Sequence, residues 1–70
     1  MIDSKDYTIL KQICMFSNEI WYVALYEAIS LENGYVIYVL HYSERNKPTE
    51  RFVYKKLGIA YENFLKKVNI

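Results

Sequence analysis

The sequence has one cysteine, Cys14, and one histidine, His41. A single thiol cannot close an internal disulfide, so a disulfide-stapled scaffold is excluded. A structural zinc takes about four thiolate or imidazole ligands, which these two residues do not supply. Glycine occurs only at positions 34 and 58 and proline only at 48. No glycine-rich phosphate loop can be built from them, and no cofactor or metal is expected. No apolar run approaches the ~20 residues of a membrane helix. The longest, 20–31, is interrupted by Glu27 and Ser30. The opening residues Met1-Ile2-Asp3-Ser4-Lys5-Asp6 are acidic and polar, the reverse of a basic signal-peptide start. These absences predict a cytoplasmic chain in a reducing compartment, with no membrane partner.

What is present is apolar and aromatic. Hydrophobic residues make up 53% of the 70 positions and aromatic ones 17%, too much for a disordered chain. Seventy residues suit one domain, 1–70, of mixed α+β class. Such a chain has a thin stability margin, and with disulfides and metals excluded it must rely on a dense aromatic core or on self-association. Eight of the aromatics are tyrosine. A tyrosine ring is apolar with a polar tip, which suits a core edge or an interface rim. Ile, Lys, Asn, Tyr and Phe are also residues of A/T-rich codons, so coding bias competes with binding as their cause.

Asn33-Gly34 is the clearest local signal. Both residues tolerate the positive φ of a type I′ turn, and β-formers flank them. A two-residue turn places Leu31 opposite Val36, Ile29 opposite Tyr38 and Leu25 opposite Tyr42. Trp21, Val23, Leu25, Ile29 and Leu31 then share one face with Val36, Tyr38, Leu40 and Tyr42. The other face holds Tyr22, Ala24, Tyr26, Ala28, Ser30, His41 and Ser43 and reads as the more polar, solvent-facing side. Glu27 falls on the apolar face unless a bulge re-aims it. The competing reading makes 27–32 helical, with Gly34 as its C-cap.

The N-terminal segment reads as a helix capped by Ser4 with a stripe of Ile9, Ile13 and Phe16, Asp3 and Asp6 marking its first turn. The alternative is a strand turning at Ser17-Asn18-Glu19. The polar run 43–50, with Pro48, is the longest loop candidate. Beyond it Leu57, Ala60, Tyr61, Phe64 and Val68 recur at three- and four-residue steps, an amphipathic helix with Lys66 and Lys67 in its last turn. Residues 51–55 either begin that helix, capped by Thr49, or form a further strand. Gly58 favours the strand, because it weakens a continuous helix by about 1 kcal/mol. The expected architecture is a small antiparallel hairpin or three-stranded meander packed against a C-terminal helix.

Candidate chemistry is sparse. Cys14, within Ile13-Cys14-Met15-Phe16, reads as a buried small hydrophobe rather than a nucleophile. His41 could serve as a base or an interface switch, but nothing organised lies near it in sequence. An enzyme acting on RNA through His41, Tyr26 and an arginine is therefore the least supported reading. Charge is more informative. Residues 1–44 hold two cations against six acids, whereas 45–70 hold seven cations against two. The basic stretch 45–56 offers Arg45, Lys47, Arg51, Tyr54, Lys55 and Lys56 as partner or nucleic-acid contacts, since cations interleaved with rings suit single strands. Tyr22, Tyr26 and His41 are the interface candidates. The leading expectation is a non-enzymatic interaction module, homodimeric because short sheets leave open edges. Its small size and composition suit an accessory, regulatory or inhibitory protein of a virus or mobile element. Nucleic-acid binding through 45–56 is the alternative.

Overall fold

The computed structural model describes residues 6–68. The chain runs β1 (Tyr7–Ser17), β2 (Trp21–Ser30), β3 (Val36–Glu44), β4 (Glu50–Tyr54) and α1 (Leu57–Val68). The strands form one antiparallel sheet in sequence order, so every connection is a hairpin. The architecture is therefore α+β, with the amphipathic segment at the C-terminus closing one face as its periodicity predicts.

The Asn33-Gly34 region does reverse the chain, but not as a type I′ turn. Only Gly34 takes a positive φ, 76°, whereas Asn33 does not. The connection has five residues, 31–35, and is closed by Ser30 N–H donating to the Tyr35 carbonyl and Gly34 N–H donating to the Ser30 carbonyl. The Asn33 side chain accepts from the Tyr35 amide at 3.0 Å. The register is thus displaced by two from a two-residue turn: Ile29 faces Val36 and Leu25 faces Leu40. A displacement of two preserves side-chain parity, so every strand residue stays on its expected face. Leu31 is the exception, since it lies in the loop and is exposed.

The N-terminal helix is not formed; residues 7–17 are a strand with two irregularities, between Ile9 and Lys11 and between Gln12 and Cys14. The proposed cap Ser4 and Asp3 lie outside the described residues. Each irregularity inserts one residue, so β1 residues facing one side of the sheet recur every three positions. Thr8, Lys11 and Cys14 oppose Ile29, Glu27 and Leu25, while Ile9, Gln12 and Met15 oppose Ala28, Tyr26 and Ala24. Ile9, Ile13 and Phe16, which read as one helical stripe, are separated by the sheet: Ile9 opposes Ala28 on one face, Phe16 opposes Val23 on the other, and Ile13 is the extra residue of the second irregularity. The first bulge also resolves the position of Glu27. It keeps Glu27 on the apolar face but sets Lys11 opposite it, and the two pair at 3.8 Å. In an unbroken register Leu10 would occupy that place.

On the first face the core consists of Val23, Leu25 and Leu40 against Ala60 and Phe64 of α1. Trp21, Tyr38, Tyr42, Phe52 and Tyr54 pack around it. Lys67 crosses the ring of Tyr42 at 4.4 Å and lies 5.5 Å from that of Phe52, which fixes the β3–β4 flank of the helix.

Among the described residues the second face carries no helix, and yet it is not the solvent-facing side its composition predicts. Ala24, Ala28 and Val39 are fully buried, and Tyr7, Tyr26 and His41 nearly so. The sheet covers this face by curling. Tyr7 pairs with Ser30 and His41 with Ala24, six positions apart along β2, or about 20 Å on an extended strand. The two side chains nevertheless meet, with the Tyr7 hydroxyl 3.3 Å from His41 Nε2. On a flat sheet they could not reach each other. Bulges in β1 and alanines on β2 permit the bend, and the result is a shallow cup.

Candidate functional site

The cup divides into a closed end and an open mouth. At the closed end, Tyr26 presents its ring edge to His41, centroids 5.1 Å apart and planes at 61°. In the observed register Tyr26 pairs with Val39, so it reaches His41 as a diagonal neighbour. The Tyr26 and Tyr22 hydroxyls share a hydrogen bond of 2.6 Å. Burial and this bond push the Tyr26 hydroxyl well above the ordinary tyrosine range, so it stays protonated. Burial, and secondarily the Arg51 guanidinium, holds the His41 imidazole below its ordinary value. Arg51 is the cross-strand partner of His41 on β4. These groups satisfy one another: among the described residues no buried side-chain polar atom lacks a partner. With His41 only 5% exposed, the arrangement works as a structural hydrogen-bond network, and there is little of it for a substrate to touch.

The mouth, at the β2–β3 hairpin end, is an open groove of about 960 Å³. Tyr7, Ile37 and Val53 lie on the cup face of its strands, and Leu31 and Tyr35 come from the hairpin. Tyr35 is 71% exposed, and Leu31 and Val53 are more than half exposed. Asp6 and Glu32 add carboxylates to the lining, and Lys55 adds an ammonium. Among the described residues Glu32 and Lys55 belong to no ion pair.

The basic stretch does not assemble into one surface. Arg45 donates through Nη2 to the Glu19 carbonyl at 3.1 Å, tying the β3–β4 loop to the β1–β2 turn. Lys47 pairs with Glu44 at 3.1 Å, and that bond, with one from the Tyr42 hydroxyl, holds the Glu44 carboxyl below its ordinary value. Arg51 belongs to the cup face, and Lys55 and Lys56 lie at the junction of β4 and α1. Tyr54 and Phe52 pack toward the helix and are not presented as stacking platforms. Of the interface candidates, Tyr26 and His41 are buried, and Tyr22 is half-buried.

Two exposed apolar features escaped the sequence reading. One is the groove. Its signal was available in Leu31 and Tyr35, large apolar residues placed in and beside a turn where nothing requires them. The other is the row Leu57, Tyr61 and Leu65 on α1, all exposed. Residues four apart stack on one side of a helix, so these three form one row along α1. Leu57 and Tyr61 belong by spacing to the stripe of Ala60 and Phe64 but stay exposed, and Leu65 lies outside that stripe.

Cys14 is half-buried, and burial raises its thiol above the ordinary range, the reverse of an activated nucleophile. Among the described residues no three His, Cys, Asp or Glu side chains gather as metal ligands. No helix among them is long and apolar enough to cross a membrane. In comparison with known proteins, no family model, no curated protein and no solved structure matches this chain.

Proposed function

We propose that this chain is a non-enzymatic protein-interaction module acting as a homodimer, in an accessory, regulatory or inhibitory role. The observation that carries this reading is where the side chains are spent. Tyr7, Tyr26 and His41, which could do chemistry, are buried and hydrogen-bonded or ring-packed, while Leu31, Tyr35, Val53, Leu57, Tyr61 and Leu65 face outward. Single exposed apolar residues are ordinary, but neighbours gathered in one groove or along one helix row mark a contact surface. Tyrosine is favoured at such surfaces because it buries much area with few rotors. The nucleic-acid reading draws less support, since the rings of the 45–56 stretch pack inward and two of its cations are already engaged. Sedimentation equilibrium at micromolar concentration tests the proposal. It should give twice the chain mass, and a single-chain mass throughout that range would overturn the homodimer.

A further inference from the structure

Resting on the reading that the chain self-associates, we infer that two copies meet at the mouths of their cups. Each copy inserts Tyr35 into the other's groove and sets its Lys55 against the other's Glu32. A two-fold interface must be complementary to itself, because the same patch faces itself across the axis. This surface offers an exposed ring, a groove to receive one, and a charge of each sign. It carries a groove of about 960 Å³ and, in the lining of that groove, the ring of Tyr35 at 71% exposure. Leu31 and Val53 supply apolar walls for the incoming ring. It also carries one cation and one anion, Lys55 and Glu32, that no residue of the same chain pairs among those described. Two-fold symmetry forms each such pair twice.

The other surfaces fit a second copy less well. The helix row Leu57, Tyr61 and Leu65 is apolar, but the charges on the outer side of α1, Glu62 and Lys66, already pair with each other at 3.9 Å. Nothing there sets an orientation. Edge-to-edge pairing through β1 is hampered by its two bulges, and β4 offers only five residues. A nucleic acid in the groove would meet the carboxylates of Glu32 and Asp6. An extended peptide from another protein could fill the groove, but it would leave Tyr35 unused.

The test is a charge exchange followed by sedimentation and light scattering. Lys55→Glu and Glu32→Lys are both exposed changes, and circular dichroism melts confirm that each variant folds. Either change alone turns two attractions into two repulsions and should weaken the dimer by on the order of tenfold or more. The double variant should recover the wild-type dimer. Mixing the two single variants should also form heterodimers, because each then meets the opposite charge at both contacts. Tyr35→Ala should weaken association without lowering the melting temperature of the monomer. A monomeric wild type would overturn the self-association reading and this interface together. A wild-type dimer that the single variants leave intact, or that the double variant and the mixture fail to restore, would overturn this interface and leave the homodimer standing. Binding of a foreign apolar peptide to the groove of an unaltered dimer would overturn it as well.

Discussion

The two faces of the sheet are buried by different physics. On the helix-covered face, Val23, Leu25 and Leu40 meet Phe64 and Ala60, and stability comes from apolar area removed from water. On the cup face no second layer exists among the described residues. Fully buried alanines at 24 and 28 leave room, Tyr7 and Tyr26 lie across them, and the polar tips of those rings bond to His41 and Tyr22. The first face needs a partner element, whereas the second needs only curvature and matched polar groups. The contrast also explains where the surface stays apolar. The helix spans β2, β3 and β4 without reaching across the whole sheet, and the cup closes at its His41 end but gapes at the hairpin.

The largest effect separating the two faces should come from Phe64→Ala. Truncating a buried phenylalanine costs about 3–5 kcal/mol. A domain of this size has roughly 0.05–0.15 kcal/mol of stability per residue, so the loss is about a third of it or more. Because β2 and β3 contribute side chains to both faces, the cup should fail with the helix. Urea unfolding followed by tryptophan fluorescence and by the His41 proton resonances should lose both signals in one transition. A helix that detaches while the His41 environment persists would show that the faces fold independently and break the comparison.

A smaller effect is expected at the cup, with a pH dependence that begins near neutrality. His41 is approached by Tyr7 from β1, by Tyr26 from β2 and by Arg51 from β4, none of them an acid. Burial first and Arg51 second lower its pKa from the ordinary 6.5. Above 6.5 both folded and unfolded chains carry a neutral imidazole, and the stability is fully present. As pH falls below 6.5 the unfolded chain takes up a proton that the folded chain resists, so stability is lost until the depressed folded value is reached. Unfolding free energies measured from pH 8 down to pH 5 should therefore decline below neutrality, and His41→Gln should flatten that decline. Tyr7→Phe removes the one hydrogen bond from β1 to His41. At 3.3 Å that bond is long, so the cost should be about 1 kcal/mol, near the low end for a buried partner left unsatisfied. A His41→Gln profile parallel to wild type would remove His41 as the source of the slope.

The covered face was legible because it depends on parity alone. Alternation through 21–25 and 36–42 placed Val23, Leu25, Leu40 and Tyr42 on one side, and the two-residue register displacement left that unchanged. The terminal helix was equally plain in Ala60, Phe64 and Val68. The cup was not legible, for two reasons that lie outside any local window. Bulges in β1 erased the alternation that would have marked residues 7–17 as a strand. Burial of Tyr26 and His41 depends on Tyr7, which is 34 positions from His41 and meets it only after the sheet curls. The groove inherits this difficulty, since Tyr7, Ile37 and Val53 become one surface only in the curled sheet.

The smallest expected effects lie at the two glycines, one in the element that covers the first face and one at the mouth of the second. A Cβ added at Gly58 meets nothing within 4 Å, and the residue has no positive φ to forbid it. Gly58→Ala should therefore favour the helix, by about 0.5–1 kcal/mol, through the smaller conformational freedom of the unfolded chain. A Cβ at Gly34 also meets nothing, but there φ is 76°, so alanine is strained by its own backbone and should cost about 1 kcal/mol. Two substitutions of identical chemistry in open space should thus shift the urea midpoint in opposite directions. If both raised it, the 31–35 loop would have an alternative conformation available at low cost, and the shape of the cup's mouth would not be fixed by Gly34. If both lowered it, Gly58 would be needed for something other than the helix it sits in, and the gain expected from a stiffer first turn of α1 would be refuted.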